Sequence, residues 1–237
     1  MTETERRFTS LLSPEGIRAA LIDMDGTLYD SMPNHARAWM RVMADIGVDA
    51  RPEEFFRFEG CTGAWIINHM IERQFGRPAT DSEKVDFYAR KAEYFVQMPP
   101  VSPIEGAREL VTALQRHGII TVLVTGSGQN SLLSRLEEDF PGAFPAERRV
   151  TSASVTRGKP APDPYLKGLE LAGIADPAQA IAIDNAPLGT RSGHAAGIPT
   201  AGVVTGPIDA RELASNGADI VFISMSECAK TLPQLLL

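Results

Sequence analysis

Hydrophobic positions along the chain follow two rhythms. Short apolar runs bounded by glycine or polar residues predict buried strands at Ala19–Ile22, Ile119–Val124, Ala180–Ile183, Pro199–Val204 and Asp219–Ile223, with a shorter one at Arg148–Ser152. Between them, apolar residues recur at helical spacing. Glu105–His117 carries Ala107, Leu110, Val111 and Leu114 on one face and closes at Gly118. Asn130–Phe140, Tyr165–Leu171 (with Gly173 at its end) and Leu188–Ala196 (ending at Gly197) read the same way, and a helix follows each of the last two strands. Strand and helix in alternation predict an α/β fold with a doubly wound parallel sheet.

One stretch breaks this alternation. From Asn34 the pattern is helical, with Trp39, Val42, Met43 and Ile46 at i, i+3, i+4 and i+7 and Gly47 to end it. Helical spacing continues through Ala64–Gln74 and Ser82–Gln97, with little that reads as strand. Residues 33–98 are therefore expected to form an all-helical insertion. Its exit is Met98-Pro99-Pro100-Val101-Ser102-Pro103, a proline-rich linker, and its entrance is the short Asp30–Pro33 segment. Residues 17–32 and 99–237 then make the α/β core, and 1–16 an N-terminal extension with a short helix on the surface. Two short connections to one parent predict a hinge.

Composition removes several classes of function. Hydrophobic residues are 43% and charged residues 22%, as in an ordinary globular protein. The net charge of −7, without a run of Lys or Arg, argues against a nucleic-acid partner or an anionic membrane surface. No apolar stretch approaches the ~20 residues that span a bilayer, and the opening MTETERRFTSLLSPEG has no signal-peptide core. Cys61 and Cys228 lie far apart without metal-ligand spacing, which favours a reducing cytoplasmic setting. The expected partner is a small phosphorylated molecule, and the expected state a monomer or weak dimer.

The candidate chemistry sits where strands end. The first strand stops on Asp23, with Asp25 two residues on and a Gly26-Thr27 turn behind it. Carboxylates that close together repel, so they must share a proton or meet a cation. The second strand ends in Thr125-Gly126-Ser127-Gly128, and another in Asp184-Asn185; Lys159 lies in a loop just before a helix. Each piece alone has a plain structural explanation: a turn, a solvated lysine, a helix-capping pair. In this order, each after the element that delivers it to one sheet edge, they suit phosphoryl transfer. Asp23 and Asp184, helped by the Asp25 carbonyl, would hold Mg²⁺, because the site offers hard oxygen ligands. Lys159 would neutralise a phosphate oxygen, and Thr125 with the N–H groups of Gly126 and Ser127 would donate to the phosphoryl group.

Four segments, DMDGTLYDS (Asp23–Ser31), VTGSG (Val124–Gly128), GKPAPDPY (Gly158–Tyr165) and IDNAPLG (Ile183–Gly189), resemble the haloacid dehalogenase superfamily, in its branch with a helical cap after the first motif. The resemblance implies a Rossmann-like core with the first strand central. It also implies a nucleophilic Asp23 that forms an aspartyl-phosphate, and Asp25 as general acid and then base. An acid in that role is expected to have a raised pKa. One departure concerns the last motif, where relatives usually carry two adjacent acids. Asn185 is a ligand without charge, so Mg²⁺ affinity is expected to be lower. Within the branch the chain looks most like β-phosphoglucomutase and its sugar-phosphatase neighbours. That likeness implies a cap histidine, His35, on Asp25 and a cap lysine, Lys91, near the substrate; Trp39 reads as cap core. Gly63 stands where the mutase carries an arginine for the second phosphate, unless Arg57 replaces it. The balance favours a sugar-phosphate phosphatase over β-phosphoglucomutase, with a phosphate-binding protein without turnover as the reading from another class.

Overall fold

The structure, a computed structural model, describes residues 1–128 and 130–236. The chain opens with α1 (Glu3–Thr9), whose first turn is fixed by a capping box between Thr2 and Glu5. Phe8 on this helix is fully buried in the core of the sheet, so the segment contributes packing as well as surface. β1 (Ala19–Ile22) follows, buried along its whole length. The chain then leaves the sheet for α2 (Met32–Asp45), α3 (Pro52–Arg57), α4 (Gly63–Phe75) and α5 (Asp81–Val96). It returns through α6 (Ala107–Arg116) to β2 (Ile120–Val124), then runs through α7 (Asn130–Leu133) and α8 (Leu136–Asp139) to β3 (Arg149–Val150). The remaining elements alternate: α9 (Asp163–Ala172), β4 (Ala180–Asp184), α10 (Pro187–Ala195), β5 (Thr200–Val203), α11 (Ala210–Ser215), β6 (Ile220–Phe222) and α12 (Met225–Leu236).

All the described strands join one parallel six-stranded sheet in the order β3-β2-β1-β4-β5-β6. β1 is central, pairing Ala19 with Ile120 on one side and with Ala180 on the other. The strand order reverses at this point, which opens a crevice beyond the carboxyl ends of β1, β2 and β4. Successive residues of each strand point to opposite faces, and both faces are covered. Ile22, Leu123 and Ile183 pack with residues of α6 and α12, while Leu21, Val122 and Ala182 pack with Tyr165 and Leu169 of α9. Each of the Leu, Ile and Val side chains among them, fully buried, contributes roughly 1.5–3 kcal/mol.

The helical insertion has its own core, in which Trp39, Val42, Met43, Phe55, Ile67, Met70 and Ile71 meet. Trp39 stacks on Phe55 with centroids 6.1 Å apart. Helix ends there are set locally. Thr62 caps α4, Gly76 closes it in the left-handed region, and Thr80 with Glu83 boxes the start of α5. α3 is too short for a helical period to show in the sequence, since Phe55 is its one buried side chain. The helix expected over Asn130–Phe140 is two short helices, broken at Ser134-Arg135. There the Arg135 guanidinium donates to the Val101 carbonyl at 2.8 Å and pairs with buried Asp139 at 3.2 Å. No described helix is long and apolar enough to cross a membrane.

Candidate active site

β1, β2 and β4 deliver their polar ends to one edge, and the loop before α9 brings a lysine to meet them. Lys159, 3% exposed, donates from Nζ to Asp23 Oδ1 and Asp184 Oδ2, each at 2.7 Å, and to the Val124 carbonyl at 3.0 Å. Asp184 also accepts from the Tyr165 hydroxyl at 2.7 Å and from the Ala186 N–H at 3.0 Å. A buried lysine loses hydration, but Asp184 and Asp23 outweigh that loss and hold its pKa above the ordinary value. Burial, together with the charges of Asp184 and Asp25, pushes Asp23 up to about 7 against the pull of Lys159. One ammonium serves two carboxylates here, and the site carries more negative charge than it neutralises.

Asp184 fits only because α10 presents Gly189 to it. A Cβ at Gly189 would overlap the Asp184 carboxyl group. Gly189→Ala is therefore expected to push Asp184 off Lys159 and Tyr165, lowering turnover by about 10²-fold or more while the helix itself gains propensity. Activity assays beside circular dichroism would check this.

Asp25, the second carboxylate, is 6% exposed and faces the cap. Its Oδ1 accepts from Ser31 Oγ at 2.7 Å and lies 2.8 Å from His35 Nε2. Its Oδ2 accepts from Thr125 Oγ1 at 3.3 Å, and Thr125 in turn accepts from the Ser127 N–H at 3.0 Å. Lys91 Nζ lies 2.6 Å from His35 Nδ1, which makes one continuous chain from Lys91 through His35 to Asp25. The raised pKa expected for Asp25 is not what the structure holds. Burial pushes it up, but His35, Ser31 and Lys91 together draw it down to about 2, so Asp25 rests as a carboxylate. His35 is lowered by burial and by Lys91, and rests neutral, with Nε2–H donating to Asp25 and Nδ1 accepting from Lys91.

Burial among Trp39, Tyr88 and Phe95 lowers Lys91 to about 7, with Asp25 opposing. The sign of the linkage follows from a folded pKa below the unfolded one. Between about 7 and 10.5 the unfolded chain holds a proton that folded Lys91 has released, so stability rises with pH across that window. Lys91→Met is expected to remove this rise and to be the more stable protein at about pH 6, by a few kcal/mol. Paired urea melts from about pH 6 to about pH 10 would measure it.

A cavity of about 50 Å³ lies between cap and core, lined by Asp23, Asp25, His35, Lys91, Gly126 and Ser127 among others. Every core residue singled out from the sequence thus reaches this edge, and His35 and Lys91 reach it from the cap. Arg57 does not: it points outward and pairs with Glu212 at 3.1 Å. Gly63 leaves no room for the missing arginine, because a Cβ there would overlap the Tyr88 ring. Asn185 is held on both sides, accepting from Thr27 Oγ1 at 2.8 Å and donating to Glu59 Oε2 at 3.0 Å. Glu59, Tyr88 and Tyr165 were not singled out by their residue types or spacing; only the position of Glu59 in the Glu59-Gly60-Cys61-Thr62-Gly63 loop and of Tyr165 in GKPAPDPY hinted at them. Among the described residues, no three His, Cys, Asp or Glu side chains are already gathered as a coordination cluster.

A family model for haloacid dehalogenase-like hydrolases matches residues 17–197. Hexitol phosphatase A of Escherichia coli is 31% identical over 89% of this chain and 93% of its own length. The N-acetylmuramic acid 6-phosphate phosphatase of Pseudomonas aeruginosa is 29% identical over 93% of this chain and 96% of its own. Among solved structures, a Bacteroides vulgatus protein proposed to be a β-phosphoglucomutase superposes with a TM-score of 0.92 at 40% identity, covering 98% of this chain and 96% of that one. The chain belongs to the haloacid dehalogenase-like hydrolases. Within that family it is similar to sugar phosphatases and to β-phosphoglucomutase-like proteins.

Proposed function

We propose that this chain is a Mg²⁺-dependent phosphatase that hydrolyses a small sugar phosphate monoester through an aspartyl-phosphate on Asp23. The observation that carries the reading is the meeting of Asp23 with Lys159 and Asp184 beside a cavity lined by Asp23, Asp25 and His35, with His35 held on Asp25. Members of the family generally use Mg²⁺, and the residues here suit it: Asp23 Oδ2 and Glu59 Oε1 are buried carboxylate oxygens without a partner. Asp23, Asp184 and the amide oxygen of Asn185 would hold the ion with the Asp25 carbonyl. Bound there, it would offset the charge of nucleophile and phosphate.

In the first half-reaction an Asp23 oxygen attacks phosphorus as the bond from phosphorus to the sugar oxygen breaks. The leaving oxygen takes a proton from Asp25. Asp25 is ionised at rest, so that proton has to arrive with or after the substrate. The negative charge of the phosphate raises the affinity of Asp25 for it, and the chain supplies it: Lys91 passes a proton to His35 Nδ1 while His35 Nε2 gives one up to Asp25. In the second half, Asp25 accepts a proton from water as the water oxygen attacks the aspartyl-phosphate. The bond to Asp23 breaks and inorganic phosphate leaves. Thr125, Gly126, Ser127 and Lys159 donate to the phosphoryl oxygens throughout.

β-Phosphoglucomutase is the second reading, favoured by the 2.8 Å contact of His35 with Asp25, a feature of the mutase pattern. Against it, a mutase must grip a second phosphate, and Gly63, Tyr88 and outward-facing Arg57 leave no arginine for that purpose. A panel of sugar phosphates with Mg²⁺, assayed for released phosphate, tests the choice. Phosphate release from at least one, lost in Asp23→Asn, supports hydrolysis. Conversion of β-glucose 1-phosphate to glucose 6-phosphate, primed by a trace of bisphosphate, would replace it with the mutase. No turnover on any substrate would favour a binding protein.

A further inference from the structure

Glu59 is a cap residue at the catalytic edge of the core. It sits in the loop between α3 and α4, is 6% exposed, and is fixed by one hydrogen bond, from Asn185 Nδ2 to its Oε2 at 3.0 Å. Its other oxygen, Oε1, has no partner. Among the described residues only one further buried side-chain oxygen or nitrogen shares that condition, Asp23 Oδ2. An unpaired buried carboxylate oxygen is costly, and two in one site call for a common cause.

Burial and the charges of Asp23, Asp184 and Asp25 push the Glu59 carboxyl well above its ordinary range, and a cation bound here would relieve that cost and give both oxygens a partner. The charge count points the same way. Asp23, Asp25, Asp184 and Glu59 bring four carboxyl groups together, and Lys159 spends its charge on Asp23 and Asp184 alone. The backbone also makes room at this spot. Gly26 has φ +77°, and a Cβ on it would lie 2.6 Å from Glu59 Oε1 and inside the Asn185 amide. No side chain is tolerated where these two groups converge on the first motif.

We propose that Glu59 is a ligand of the divalent cation, supplying from the cap the negative charge that the core lacks at Asn185. This inference rests on the Mg²⁺ site of the function proposed above. Its consequence is that cation binding and cap closure are one event. Asp23 of the core and Glu59 of the cap would both hold the ion, and the Asn185–Glu59 hydrogen bond keeps the loop in register for it. The loop is already pressed home: Gly60 and Cys61 lie against Gly126, and Cys61 Sγ reaches the Lys159 carbonyl at 3.5 Å. A cap that opens carries Glu59 away and leaves the core with a weaker, partly amide-lined site.

The test measures the metal alone, with no substrate present. Mg²⁺ and Mn²⁺ binding are followed by calorimetry and by the Mn²⁺ spin-resonance signal, in wild type, Glu59→Gln, Asn185→Asp and the double variant. Glu59→Gln keeps the shape and the hydrogen-bonding capacity of the side chain, and circular dichroism checks its fold. It is expected to weaken metal affinity by at least about tenfold, and Asn185→Asp in that background to recover most of the loss. Hydrogen exchange supplies the second readout. Mg²⁺ should slow exchange of residues 58–62 in wild type and leave it unchanged in Glu59→Gln. Metal affinity and loop protection equal to wild type in Glu59→Gln would overturn the proposal and reduce Glu59 to a partner of Asn185. Wild-type protein that binds neither ion would overturn the Mg²⁺-dependent function as well, so the two failures are distinct.

Discussion

Asp23→Asn is expected to abolish turnover and yet to melt at a higher temperature than wild type when no metal is added. The loss follows from the chemistry, because an amide cannot attack phosphorus; turnover should fall by at least about 10⁴-fold. The gain follows from the electrostatics. Burial and the nearby charges of Asp184 and Asp25 work against an ionised Asp23, and Lys159 does not cancel them. An asparagine keeps an oxygen for Lys159, which also retains Asp184 at 2.7 Å. Its nitrogen offers a donor beside a carboxylate-rich cluster where Asp23 Oδ2 now has no partner. Relief of about 1–2 kcal/mol would raise the melting temperature by roughly 2–4 °C for each kcal/mol in a chain of this size. Function held at a cost in stability is the general pattern for catalytic groups. Calorimetry on metal-free protein, beside the phosphate-release assay, separates the two effects. A variant that melts below wild type would mean that Asp23 is a structural partner of Lys159 more than a poised nucleophile.

The parts of this site legible in the sequence are those that strand topology determines. Asp23, Thr125 and Asp184 each follow an apolar run, and a parallel sheet leaves their side chains no other common edge. Lys159 needed only a loop of the right place and reach. The cap was legible in a weaker sense. Helical periodicity located α2, α4 and α5, and resemblance placed His35 and Lys91, but no period marks a single glutamate in a loop, so Glu59 emerged only from its contact with Asn185. The protonation state of Asp25 failed for a related reason. Sequence shows its carboxylate neighbours at once, whereas Ser31, His35 and Lys91 converge on it only in three dimensions and reverse the expected shift. The absence of an arginine at Gly63 was visible. That Tyr88 occupies the space was not.

Lys159→Met should do the reverse of Asp23→Asn to stability while sharing its effect on turnover. Wild-type Nζ satisfies three buried acceptors, Asp23 Oδ1 and Asp184 Oδ2 at 2.7 Å and the Val124 carbonyl at 3.0 Å. A thioether of similar length fills the volume and satisfies none of them. Breaking a buried ion pair by removing one partner typically costs about 3–5 kcal/mol, because the charge left behind is uncompensated. Here two carboxylates are left, each 2% exposed or less. The metal-free variant should therefore melt on the order of 10 °C below wild type, and its turnover should fall by about 10³-fold or more for want of a cation on the phosphoryl group. The two substitutions couple: once Asp23 is already asparagine, removing Lys159 strands one carboxylate instead of two. The double variant should then recover part of the loss, with an interaction energy of about 1–3 kcal/mol in a double-mutant cycle. Additive melting shifts, with no interaction, would show that Lys159 is held in place by Asp184 and the β2 carbonyl alone, and that Asp23 meets its cation only when substrate and metal arrive.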